Sequence, residues 1–158
     1  MWLYSRSGFF LAALALAGCG FAPMNGVNSK SQMLRNTVLV QAPTNRVEFE
    51  LVHNLEEQLG QATSKLYDLR YKLNIEEDIV VVSAAQEINR FSLVGLLKYS
   101  LVDKEGVVLL AETAKSFTGY SATGTTVATQ RSQRDAYDRL MVILAKQVSN
   151  SLFTLGRP

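Results

Sequence analysis

The stretch YDLRYKLNI, residues 67–75, decides the fold. Tyr67, Leu69, Tyr71, Leu73 and Ile75 alternate with Asp68, Arg70, Lys72 and Asn74. Successive side chains of a strand point to opposite faces, so this period of two predicts a strand with one buried and one polar face. Ile79 to Val82 extend the pattern past Glu76-Glu77-Asp78, and a turn is expected within Ser83 to Glu87. A third strand follows. Phe91, Leu93, Leu97, Tyr99 and Leu101 share one face, with Gly95 as a gap. Ser92, Val94, Leu96, Lys98, Ser100 and Val102 form the other, which is more apolar than a fully wetted surface needs. Asp103-Lys104-Glu105-Gly106 reads as a hairpin connection with glycine at the left-handed position. The chain then returns as a fourth strand from Val107 to about Tyr120, whose register stays open because both alternations contain apolar residues.

Helices flank these strands. On the amino-terminal side, Thr37 to Gln41 is a short β-branched run stopped by Pro43. Thr44-Asn45 offers a helix N-cap, with Glu48 three residues after Asn45. Val47, Leu51, Leu55 and Leu59 recur every four residues, with Val52 beside them, and Gly60 ends the helix. On the carboxyl side, a long helix is expected from the threonines near 126 to about Phe153, with Tyr137, Leu140, Met141, Leu144, Val148 and Leu152 as its apolar stripe. The order is β-α-β-β-β-α. The expected class is α+β, with two helices packed on one face of a four-stranded, mostly antiparallel sheet. Connectivity alone leaves open whether the first strand pairs parallel or antiparallel.

The chain has 158 residues, 47% of them apolar, which fits one ordinary domain, placed here at 37–158. Its 16 basic residues nearly balance 14 acidic ones, against a nucleic-acid partner. The single cysteine permits no internal disulfide. The single histidine, His53, falls on the first helix without the makings of a triad or zinc site, and reads as a surface or boundary residue. Gly119 to Gly124 is rich in small residues but lacks the lysine of a phosphate loop. Glu76, Glu77 and Asp78 point to alternating faces and read as a solvated strand end. Arg131, Arg134 and Arg139, interleaved with Asp135 and Asp138, read as a self-paired helix surface. No acid, base or metal constellation emerges, so an enzyme is not expected.

The amino terminus carries Arg6 and then the apolar run Phe9 to Ala17. That run is shorter than the roughly 20 residues that span a bilayer, and suits a secretory leader. Leu16-Ala17-Gly18-Cys19 resembles the bacterial lipobox. The resemblance implies a leader at 1–18, cleavage before Cys19, and a covalent diacylglycerol and N-acyl lipid on Cys19, the only non-protein group expected. Gly20, by likeness to sorted lipoproteins, favours the outer membrane. Residues 19–36 then read as a lipidated tether whose coil spans roughly 20–25 Å.

The chain as a whole resembles the LPS-assembly lipoprotein family, LptE, of Gram-negative bacteria. The likeness rests on Gly18 to Met24, Tyr67 to Tyr71, Leu97 to Leu109, and Ala128 to Ala136 leading into Leu140 and Leu144. It implies two helices on a four-stranded sheet, in agreement with the residue patterns. It also implies an outer-membrane location on the periplasmic side and a partner, the β-barrel LptD. The family member plugs and helps assemble that barrel and supports lipopolysaccharide delivery to the outer leaflet. Family members have been linked to lipopolysaccharide through basic residues near the turn between the second and third strands. Here the sequence departs from that pattern: the turn, Ser83 to Glu87, holds no base and the nearest is Arg90, so Arg70 and Lys72 on the polar face of the second strand stand beside Arg90 as alternative candidate phosphate contacts. The competing reading is an auxiliary lipoprotein of an ABC-type envelope lipid-transport system, which would copurify with an inner-membrane permease.

Overall fold

The computed structural model describes residues 34–82, 88–122 and 125–155. The leader, Cys19 and the Ser83–Glu87 turn lie outside the described residues. The elements are β1 (Val38–Val40), α1 (Arg46–Leu59), β2 (Tyr67–Val82), β3 (Ile88–Asp103), β4 (Val108–Ser121) and α2 (Thr126–Thr154). They form one sheet in the order β1-β2-β3-β4. β1 runs parallel to β2, with Val38 opposite Tyr67, while β2–β3 and β3–β4 are antiparallel. Parallel neighbours need a crossover connection, and α1 supplies it. The sheet is therefore mixed, and the pairing of the first strand, open in the sequence, is settled as parallel.

Local chemistry sets the helix ends. Asn45 caps α1, its side chain accepting from the Glu48 amide at 2.9 Å. The Glu48 carboxylate reaches back to the Thr44 amide and hydroxyl, both at 2.8 Å, so it ties the residue before the cap. α1 ends at Gly60, whose φ of +80° is strained for any residue with a Cβ, and whose amide donates to the Glu56 carbonyl. Thr125 caps α2 by accepting from the Ala128 amide.

The core lies between the helices and one sheet face. Leu51, Val52, Leu55 and Leu59 of α1 meet Leu140, Met141, Leu144, Val148 and Leu152 of α2 above Leu69, Leu93, Leu97 and Leu101. At Gly95 side chains of α2 pack directly onto the sheet. A Cβ there would sit 3.0 Å from a Leu144 methyl and 3.1 Å from one of Leu140. The gap in the β3 apolar row is thus filled from the helix. Ser149 is fully buried, and its hydroxyl has no hydrogen-bond partner among the described residues. Ser149→Ala removes that unsatisfied group and adds helix propensity, so it is expected to stabilise the protein by about 1 kcal/mol. A denaturant melt that moved the other way would mean the hydroxyl is satisfied.

Three tyrosines on the helix side of the sheet bury their rings and send their hydroxyls to carboxylates. Tyr71 donates to Glu48 at 3.5 Å and Tyr99 to Glu112 at 2.8 Å; Ser151 of α2 also donates to Glu112. Tyr120 donates to Glu77, which also accepts from Tyr137 at 3.3 Å and Gln133 at 3.4 Å. Glu77 is exposed, as the sequence suggested, yet it joins β2, β4 and α2. Hydrogen bonds hold two carboxyls below their ordinary value of 4.5, chiefly from the Thr44 amide for Glu48 and from Ser151 and Tyr99 for Glu112. Burial first, then the facing carboxylate, pushes Tyr71 up to about 12, and burial does the same for Tyr99.

The signs follow by linkage. A depressed carboxyl contributes stability above its unfolded value that is lost as pH falls through the lower folded value. A raised phenol contributes below pH 10 and loses that contribution as pH rises towards about 12. The Glu48→Gln, Glu112→Gln double variant is therefore expected to lose less melting temperature than the parent between about pH 5 and pH 3. Parallel melting curves over that window would show that these carboxylates carry no linkage.

Candidate functional site

One sheet face is covered by α1 and α2; the other carries no element among the described residues. The strand register lays out that open face in rows. Arg70 stands opposite Ser100, and Ser100 opposite Ala111; Lys72 stands opposite Lys98, and Lys98 opposite Thr113. In the next row Asn74 faces Leu96, and Leu96 faces Lys115. A shallow groove of about 510 Å³ runs across the first two rows, lined by Arg70, Lys72, Lys98, Ser100, Ala111 and Thr113 among others.

The groove concentrates positive charge. Arg70, Lys72, Lys98 and Lys115 are all exposed, and among the described residues none pairs with a carboxylate. Lys72 and Lys98 are direct cross-strand neighbours, an arrangement that destabilises a sheet by like-charge repulsion. Beside this patch, Val94 and Leu96 are half-buried and Phe117 is 75% exposed. The face can therefore meet an anionic group and an apolar one side by side.

Of the residues expected from sequence, Arg70 and Lys72 lie together in the groove. Arg90 does not join them. It pairs with Ser121 near the far end of β3, about ten residues from Ser100 and so roughly 30 Å away. There it borders a separate cleft with Ser121, Ser132, Asp135 and Arg139. Cys19 lies outside the described residues. Lys98 and Lys115 were missed as members of the patch. Their side-chain type and strand phase were readable, but which residues they face depends on the register.

The α2 arginines are not self-paired: among the described residues Arg131, Arg134 and Arg139 form no ion pair, and Arg139 donates to the Gly119 carbonyl at 3.2 Å. His53 lies on the exposed side of α1, its ring stacked on Phe49 at 6.5 Å between centroids. Among the described residues there is no group of acidic, histidine or cysteine side chains able to hold a metal. No described helix is long and apolar enough to cross a membrane.

These features define a class, a small α+β body with one helix-covered face and one open face that bears a cluster of cations at Arg70, Lys72, Lys98 and Lys115, with Asp68, Glu76 and Asp78 on the same face of β2. The LptE model, lipopolysaccharide-assembly, matches residues 35–152, and the chain belongs to that family. Among solved structures it is similar to a lipoprotein from Caulobacter crescentus CB15, at TM-score 0.66 and 19% identity, covering 79% of this chain and 94% of that one. It is similar also to the rare lipoprotein B of Shewanella oneidensis, at TM-score 0.57 and 9% identity, covering 73% and 91%. A minor lipoprotein from Acinetobacter baumannii matches at TM-score 0.54 and 17% identity, covering 75% and 89%. At such identities the likeness concerns the fold. No curated protein sequence matches the chain.

Proposed function

We propose that this chain is an outer-membrane lipoprotein, acylated at Cys19, that plugs and helps assemble the β-barrel LptD and supports lipopolysaccharide delivery to the outer leaflet. The role is not enzymatic. The observation that carries the reading is a cluster of four cations, unpaired among the described residues, on the open face of an LptE-family fold. Phosphates of lipopolysaccharide fit that cluster, because exposed guanidinium and ammonium groups bind phosphate oxygens by charge-assisted hydrogen bonds. Val94, Leu96 and Phe117 beside them suit an acyl chain or an apolar partner surface. A face of mixed polarity also suits a wet protein interface inside a barrel lumen.

Reversing charge at Arg70 and Lys72 together is expected to weaken lipopolysaccharide binding to the purified domain by about tenfold or more. Unchanged binding would remove both residues from the contact. Copurification in mild detergent with an inner-membrane permease, in place of the barrel, would replace the proposed partner with the transport-system reading.

A further inference from the structure

We infer that the free edge of β4, over Ala111–Phe117, is a docking strip for an extended segment of another polypeptide, which adds to the sheet as a fifth strand and carries an acidic residue facing Lys115. The sheet has two edges, and they differ. β1 covers only Tyr67–Leu69 of β2. Beyond it the β2 edge carries Lys72, Glu76, Glu77 and Asp78, and its pairing shifts register between Ile79 and Val81. Charge and irregularity of this kind discourage strand addition.

The β4 edge is guarded only at its ends. At the start, Leu101 pairs with Leu110 but Val102 with Val108, so an extra residue bulges there. At the far end Arg139 of α2 caps the Gly119 carbonyl. Between those points there is no proline and no covering element among the described residues. The charged residues of this stretch are Glu112, which Tyr99 and Ser151 tie to the helix side, and Lys115. Ala111 and Thr113 are small enough for a second backbone to approach. Phe117 stands 75% exposed on the open face, beside Val94.

Charge complementarity selects the occupant. Among the described residues Lys115 has no counter-charge, and Lys98 and Lys72 stand in the adjoining row of the same face. The open-face row of β4 contains Ala111, Thr113, Lys115, Phe117 and Gly119, with no carboxylate. A second copy pairing β4 to β4 would leave Lys115 unneutralised in any register that keeps the faces aligned. A segment with an acidic residue opposite Lys115 and an apolar one opposite Phe117 satisfies both positions.

The test places a photoreactive phenylalanine singly at Thr113, Lys115 and Phe117, with Asn74 and Glu76 as controls, in the full chain in native membranes. The expected result is reaction of the three β4 sites with one stretch of a single partner chain, the attachment point moving by about two residues for each step along β4. Phe117→Lys is expected to cut the yield from position 113 by about tenfold while leaving the melting temperature of the purified protein unchanged. No adduct, adducts at scattered positions, or adducts to another copy of this chain would overturn the inference. The inference does not depend on the barrel: an ordered adduct with a different envelope protein would uphold the strip and overturn the proposed partner.

Discussion

Leu144→Ala is expected to lower the unfolding free energy by about 3–5 kcal/mol. Leu144 is fully buried, and its methyl comes within 3.0 Å of where a Cβ on Gly95 would stand. The side chain fills the only row position of β3 that has no side chain of its own on the helix side. Removing it loses the transfer energy of the deleted groups and opens a cavity beneath α2. That cavity collapses poorly, because Gly95 is held in the ladder on both sides, by Ile75 of β2 and Ser116 of β4. Domains of this size are stable by about 5–15 kcal/mol, so the loss is a large share of the total. Urea melts measure it. A change under about 1 kcal/mol would mean that α2 does not rest on β3 at this point. Gly95→Val should also destabilise, by overpacking instead of a void, and the two together separate loss of contact from loss of space.

Lys98→Glu is expected to move stability and binding in opposite directions. Lys98 stands directly opposite Lys72, and among the described residues no carboxylate pairs with either. The substitution turns a repulsive cross-strand pair into an attractive one, which stabilises the sheet by about 0.2–1 kcal/mol. It also subtracts two units of positive charge from the groove that Arg70 and Lys72 line. Affinity for lipopolysaccharide is expected to fall about tenfold or more, and to depend less steeply on salt. Melting temperature and lipopolysaccharide titration on the same purified protein read both effects. Unchanged affinity would show that the groove is not the anion surface. A fall in both would show that Lys98 is structural, and that its position opposite Lys72 has some compensation in the fold.

The elements were legible wherever apolar spacing was regular. Alternation over Tyr67–Ile75 located β2, and four-residue recurrence from Val47 to Leu59 located α1 with its Asn45 cap. The register of β4 was not legible, and the bulge beside Val108 explains why. An extra residue transfers the apolar alternation from one face to the other, so Val107, Val108 and Leu109 obey neither phase. The parallel pairing of β1 was hidden too, because three residues carry no direction of their own. The candidate site was half legible. Arg70 and Lys72 share a strand, so their common face follows from periodicity alone. Lys98 and Lys115 come from two other strands, and only pairing brings them alongside. Arg90 shows the converse: it is close to the β2–β3 turn in sequence but remote from the groove in space. Glu77 has the sequence signature of a solvated acid, and exposure alone does not reveal the three side chains that reach it from β4 and α2.

Native mass spectrometry of the complex drawn from membranes in mild detergent tests the account at its centre. The prediction is one copy of this chain, beginning at Cys19 and carrying diacylglycerol and an N-acyl chain, bound to one outer-membrane β-barrel. A chain with an intact leader and an unmodified thiol, or one released with an inner-membrane permease, would contradict it.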